Sequence, residues 1–217
     1  MLENYLNNDK IEVGVDEAGY GSFYGRVYAA AVIWPHDFNH ELIRDSKRLN
    51  PHKRDEAYEL VINNAIAYAV CYREPSVIDR VNIRQANFQA MHEAIDKLGL
   101  LPDTILVDGN AFIPYMDRLF EPVDCQLITK GDNKYCAIAA ASILAKVSRD
   151  RYIFRECARN PLLSERYCLD KNKGYGALVH REGLRKWGAT DGHRKKGFTE
   201  KYTNKIEEID EEKSEDK

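Results

Sequence analysis

Residues 11–21, IEVGVDEAGYG, run a Val-rich segment directly into an adjacent Asp-Glu pair and then into two glycines. A short apolar, β-branched run of this kind reads as a buried strand. Two neighbouring carboxylates at its end repel each other and lose solvation, so the fold has to bring positive charge to them. That requirement favours an architecture in which the ends of several strands meet, as they do in open α/β sheets.

The rest of the chain supplies such strands. IEVGVD (11–16) and VYAAAVIW (27–34) flank a glycine-bearing connection and predict a hairpin-like pair. In NPHKRDEAYELVINNA (50–65), Asn50 caps a helix and Pro51 takes its first position. AIAYAVCYR (65–73) alternates as a strand, and NIRQANFQAMHEAIDKLG (82–99) has helical spacing that stops at Gly99. TILVD (104–108) and CQLITK (125–130) read as further strands, and AIAAASILAKVSRDRYIFRECAR (137–159) as a long, mostly buried helix. Strands alternating with helices predict an α/β domain around a mixed sheet.

With 217 residues, no internal repeat and no Pro- or Gly-rich linker, one domain over residues 1–206 is the economical expectation, its part beyond about 160 helical. The five cysteines are odd in number and lack C-x-x-C spacing, which argues against a zinc site or a disulfide frame. No apolar run approaches a membrane span and MLENYLNNDK lacks the order of a signal peptide, so the cytoplasm is the expected compartment; a monomer is the default expectation. The formal charge of −3 hides an asymmetry, because EEIDEEKSEDK (207–217) holds seven acids and two lysines. Without that segment, 30 basic residues face 28 acidic ones; the tail itself reads as a disordered acidic end. Basic residues gather in HREGLRKWGATDGHRKKGF (180–198), a stretch suited to phosphates or to a plain surface turn.

Three strand ends carry acid: Asp16 with Glu17, Asp108 in LVDGN, and Asp132 in TKGDNK. Alone, each reads as a turn residue or helix cap. Together they can deliver four carboxylates to one place. A phosphate-binding loop is a poor alternative, since GVDEAGYG fits neither G-x-x-x-x-G-K-[ST] nor G-x-G-x-x-G and its acids would repel phosphate.

The motifs VDEAGYG (15–21), RDSKRL (44–49), LVDGN (106–110), KGDNKYCAIAAASILAKVSRDR (130–151), NKGYG (172–176) and HR (193–194) resemble, in order, those of ribonuclease HII, the type 2 ribonucleases H that cut RNA paired with or embedded in DNA. The resemblance spans roughly residues 11–198 and implies an α/β, ribonuclease H-like mixed β-sheet flanked by helices, with a C-terminal helical segment. It implies that Asp16, Glu17, Asp108 and Asp132 hold two divalent cations, Mg²⁺ or Mn²⁺, with Asp16 bridging them. Hard cations of this kind prefer oxygen ligands and would neutralise the crowded acids. A pair of them serves hydrolysis of a phosphodiester to 5′-phosphate and 3′-hydroxyl ends. By the same resemblance, backbone groups of Gly19 and Gly21 meet the 2′-hydroxyl, Tyr20 between them belongs to the substrate-binding loop, Tyr175 packs on the sugar, and Lys47, assisted by Ser46, meets phosphate. Lys146, Arg149, His193 and Arg194 are further candidates for phosphate contact, whereas Asp150 reads as a structural partner for an arginine. The implied partner is an RNA–DNA hybrid or DNA containing ribonucleotides.

One position departs from the family pattern. Tyr20 stands where Gly-Arg-Gly is usual, which trades a guanidinium for a stacking face and one hydroxyl. With SFYGR (22–26) the loop resembles ribonuclease HIII, which prefers longer RNA stretches. That family carries an extra N-terminal domain and usually a glutamate as fourth acid, against ten residues before the first strand and Asp132 here. A silent hybrid-binding module on the same fold is a further alternative, and the presence of all four acids argues against it.

Overall fold

The computed structural model describes residues 2–203. Its centre is a five-stranded mixed sheet of β1 (Glu12–Ala18), β2 (Val27–Ile33), β3 (Ala67–Arg73), β4 (Thr104–Asp108) and β5 (Asp124–Ile128), in the order β3-β2-β1-β4-β5. β1, β4 and β5 run parallel, while β2 pairs antiparallel with both β1 and β3. The expected hairpin of the first two strands is therefore present. The antiparallel ladder continues to Ala18 opposite Tyr28, so Asp16 and Glu17 lie within β1, opposite Ala30 and Ala29, rather than beyond its end.

The helices form where caps and spacing place them. In α1 (Pro51–Asn64) the Asn50 side chain accepts from the Lys53 amide at 2.9 Å, and in α3 (Ile83–Asp96), which follows the short α2 (Pro75–Val81), Asn82 accepts from the Gln85 amide at 3.0 Å. Gly99 lies three residues past α3 with φ +73°, in the left-handed region. α4 (Cys136–Arg159) crosses one face of the sheet, and its buried Ala137, Ala139, Ala140, Ala141 and Ala145 form a core with Ala30, Val32 and, from α1, Ala57 and Val61. Small side chains let helix and sheet approach closely, most of all at Gly14, where a Cβ would stand 2.2 Å from the Ala137 carbonyl carbon. α3 covers the other face through Phe88, Met91, Ala94 and Ile95 packed on Val13, Val15, Ile105 and Val107.

Between residues 160 and 203 the regular elements are helical, as expected: α5 (Leu162–Tyr167), α6 (Leu169–Asn172), α7 (Leu178–Trp187) and α8 (Glu200–Thr203). They gather around Tyr24, Tyr152 and Leu184 beside the far end of α4. All five cysteines are free, and among the described residues no helix is long and apolar enough to cross a membrane. The acidic segment 207–217 lies outside the described residues.

Candidate active site

Because β1, β4 and β5 are parallel, their C-terminal ends share one edge of the sheet. Asp16 and Glu17 come from β1, Asp108 is the last residue of β4, and Asp132 sits in the 3₁₀ turn Gly131–Asn133 between β5 and α4. Asp16 and Asp132 are buried, at 6 % and 3 % exposure, and each of the four acids is turned onto a donor. Asp16 Oδ1 accepts from the Glu17 amide at 2.7 Å, and Asp108 Oδ1 from the Gly131 amide at 2.7 Å. Asp132 Oδ1 accepts from Asn133 Nδ2 at 2.9 Å, and Glu17 Oε2 from Asn87 Nδ2 at 3.3 Å. As they stand, no three His, Cys, Asp or Glu side chains among the described residues converge tightly enough to hold a metal ion.

The four carboxylates nevertheless share one electrostatic environment. Burial, followed by the Glu17 and Asp108 charges, raises the Asp16 carboxyl well above the usual range. Glu17 is raised by burial and by Asp108, against the hydrogen bond from Asn87, and Asp132 by burial, Asp108 and Asp45. Among the described residues the ion pair to these acids comes from Lys47, whose Nζ stands 4.0 Å from Asp132 Oδ2 on a mostly exposed side chain. Burial pulls the Lys47 ammonium down, but Asp132, Asp45, Asp16 and Asp108 together outweigh that and raise it. One exposed ammonium cannot neutralise four partly buried acids, and an all-carboxylate donor set of this kind suits hard divalent cations.

Beside the acids, the connection from β1 to β2 forms the wall of the site. Gly19 has φ +88°, and a Cβ there would meet Arg149 Nε at 2.0 Å, so both dihedral and space demand glycine. Gly21 has nothing within 4 Å of an added Cβ, and the fold itself does not require glycine there. Tyr20 is 39 % exposed. Tyr175 is 38 % exposed, so it is not a core tyrosine, and the Arg149 guanidinium lies 5.1 Å from its ring centroid. Tyr20 also lines a cleft of about 270 Å³ with Glu17, Arg84, Asn87, Phe88 and Asp108.

Several residues expected at phosphate or substrate are committed elsewhere. Arg149 and Arg194 are 0 % exposed. Arg149 donates to the carbonyls of Arg26 (3.3 Å) and Tyr24 (3.2 Å), and Arg194 to those of Gly25 (2.8 Å) and Tyr20 (2.9 Å). They lie beneath the connection from β1 to β2, engaged with its carbonyls and without exposed surface to offer a phosphate. His193 is also fully buried, its Nε2 3.0 Å from His180 Nε2, while its Nδ1 accepts from the Thr190 amide at 2.9 Å. His180 Nδ1 in turn stands 3.0 Å from the Tyr175 carbonyl oxygen, so this pair braces Tyr175 rather than a ligand. Lys146 is held by Asp150 at 2.7 Å, and Asp150 also faces Arg54 at 3.8 Å, the arginine partnership expected for it. Ser46 is buried with its hydroxyl 3.2 Å from that of Ser142, and Ser142 hydrogen-bonds Asp16, so the Ser46 hydroxyl faces Ser142 and not the surface. Sequence reasoning missed Asn87, whose signal was a lone amide on the otherwise apolar face of α3 between Ala86 and Met91.

The sheet, its helices and the carboxylate edge define a ribonuclease H-like fold. The ribonuclease H2 of Pyrococcus horikoshii superposes with a TM-score of 0.72 at 23 % identity, over 90 % of this chain and 98 % of that one. The Archaeoglobus fulgidus ribonuclease HII, solved in complex with PCNA, gives 0.67 at 25 % identity over 86 % and 95 %. Bst-RNase HIII in complex with Mn²⁺ gives 0.61 at 19 % identity over 90 % and 69 %. In sequence, the ribonuclease HII family model matches residues 13–204. The ribonuclease HII of Phocaeicola vulgatus is 46 % identical over 194 residues, 89 % of this chain and 92 % of that one. That of Caldicellulosiruptor bescii is 46 % identical over 195 residues, 89 % and 90 %. The chain belongs to the ribonuclease HII family and is, as such, a ribonuclease H, a hydrolase of RNA.

Proposed function

We propose that the chain is an endoribonuclease that cuts the RNA strand of RNA–DNA hybrids and ribonucleotides embedded in duplex DNA, leaving 5′-phosphate and 3′-hydroxyl ends. Asp16, Glu17, Asp108 and Asp132 hold two divalent cations, Mg²⁺ or Mn²⁺. The observation that carries this reading is the electrostatic convergence of these four acids on one sheet edge, with Asp16 buried and raised by its neighbours. When bound, such ions supply an activated water and stabilise the leaving oxygen. The neighbour crystallised with Mn²⁺ supports that ion as one candidate.

The remaining residues position the nucleic acid. Among the described residues the amides of Gly19, Tyr20 and Gly21 have no acceptor, and three consecutive free donors suit the 2′-hydroxyl that separates RNA from DNA. The exposed ring of Tyr175 offers the sugar an apolar face, and Lys47, ranged beside Asp132, meets the phosphate.

A second reading concerns the substrate preferred. Tyr20 lacks the guanidinium usual at its position, which favours runs of ribonucleotides over a single embedded one. Cleavage of a duplex with one ribonucleotide is compared by gel with cleavage of one bearing four, each in Mg²⁺ and in Mn²⁺, for the unsubstituted chain, Tyr20→Arg, Asp16→Asn and Asp108→Asn. Tract preference relaxed by Tyr20→Arg is expected, and equal rates on both duplexes in the unsubstituted chain would remove it. Both Asn variants are expected to lose cleavage while still binding the duplex, and normal turnover by either would overturn the ligand assignment.

A further inference from the structure

Asn87 occupies the middle of α3, on the face packed against the sheet, and is 3 % exposed. Its Nδ2 donates to Glu17 Oε2 at 3.3 Å and approaches Met91 Sδ at 3.8 Å, while Oδ1 is buried without a partner. A buried acceptor left unpaired costs about 1–3 kcal/mol. Ala86, Phe88, Ala90 and Met91 around it are apolar, so a leucine, which has the same branching of four side-chain heavy atoms though more bulk, would suit the surroundings and remove that cost. Packing therefore does not explain the amide. What leucine could not supply is the donor to Glu17, the single side-chain hydrogen bond that Glu17 accepts among the described residues.

We infer that Asn87 is a positioning residue that holds the Glu17 carboxylate in place for a divalent cation. The inference rests on the reading of Glu17 as a cation ligand. An outer partner of this kind fixes the orientation of a ligating carboxylate, and its loss typically weakens metal binding 10- to 100-fold. The unpaired Oδ1 marks the conflict between site and core: the fold tolerates a local instability to keep one donor on one acid.

The test separates the two roles. Mn²⁺ is titrated calorimetrically, without nucleic acid, into the unsubstituted chain, Asn87→Leu, Asn87→Ser and Glu17→Gln, and each is melted in chelator. Asn87→Leu is expected to melt at or above the unsubstituted chain and to bind Mn²⁺ roughly 10-fold more weakly. Asn87→Ser, which keeps a hydroxyl donor, is expected to lose less than Asn87→Leu. A folded Asn87→Leu with a Kd within twofold of the unsubstituted value would overturn the inference, as would the same result for Asn87→Ala, titrated alongside, if the leucine variant does not fold. If Glu17→Gln leaves Mn²⁺ binding unchanged, the ligand reading itself fails and the inference falls with it. Weakening by Glu17→Gln but not by Asn87→Leu would refute the inference alone.

Discussion

Gly14→Ala tests whether the close approach of α4 to β1 sets the site. The added Cβ would lie 2.2 Å from the Ala137 carbonyl carbon, 2.4 Å from the Ile138 nitrogen and 2.5 Å from the Ala137 oxygen. Reaching even the tight end of ordinary contact, 3.4 Å, requires a displacement of 3.4 − 2.2 = 1.2 Å. The obstacle is backbone in the first turn of a 24-residue helix, with no side-chain end to swing away. Overpacking costs typically 1–3 kcal/mol, and a rigid backbone clash belongs at the upper end, about 3 kcal/mol. For a domain of this size that lowers Tm by roughly 6–12 °C. Urea unfolding is expected to show the same loss as a lower midpoint with an unchanged slope. Cleavage should fall as well, because Asp16 lies two residues along β1 and its partner Ser142 lies on α4. A Tm within 2 °C of the unsubstituted chain would refute the argument that this contact is rigid.

Three further outcomes follow from the site. Gly21→Ala is expected to leave Tm unchanged and weaken binding to ribonucleotide-containing duplex, whereas Gly19→Ala, with φ +88° and a 2.0 Å clash on Arg149, should lower both; thermal melts beside duplex-binding titrations separate them. Asp16→Asn should raise the Tm of chelator-treated protein at neutral pH, since the folded state raises the Asp16 carboxyl and ionising it there opposes folding. His193 has its pKa lowered by burial and by His180 from 6.5 to about 3, so below pH 6.5 the unfolded chain takes up the proton first and stability falls with pH. At pH 5 this loss is about 2 kcal/mol for His193 alone, measurable by urea unfolding at pH 5 and pH 8, and His193→Asn should flatten that slope.

The elements were legible where local chemistry decides them. Asn50 and Pro51 announce α1, the Val-rich run before Asp16 announces β1, and the alanine run from 137 announces a helix pressed on the sheet. The four acids were legible because burying like charges has few purposes, and the parallel β1, β4 and β5 bring their ends to one edge. Side-chain direction was not. Ser46 and Lys47 are neighbours in one 3₁₀ turn, yet the lysine is exposed at the acids while the serine is buried against Ser142. Nothing in the tripeptide DSK says which of its polar groups faces out, since that depends on where α4 lies.

Arg149 and Arg194 make the same point on a larger scale. A basic residue near a nuclease site suggests a hand on the phosphate, yet both guanidiniums are buried and neither forms a salt bridge among the described residues. Each retains one unpaired nitrogen, so these charges are costly by the usual rules for buried ions. Their donors take the carbonyls of Tyr20, Tyr24, Gly25 and Arg26, which turns those oxygens inward, while among the described residues the amides of Gly19, Tyr20 and Gly21 have no acceptor. Two buried positive charges beneath three unpaired amides give the loop a positive potential. Arg194 Nη1 sits 2.9 Å from the Tyr20 carbonyl oxygen, on the buried side of the loop, where it holds the backbone without restoring the surface guanidinium that Tyr20 lacks.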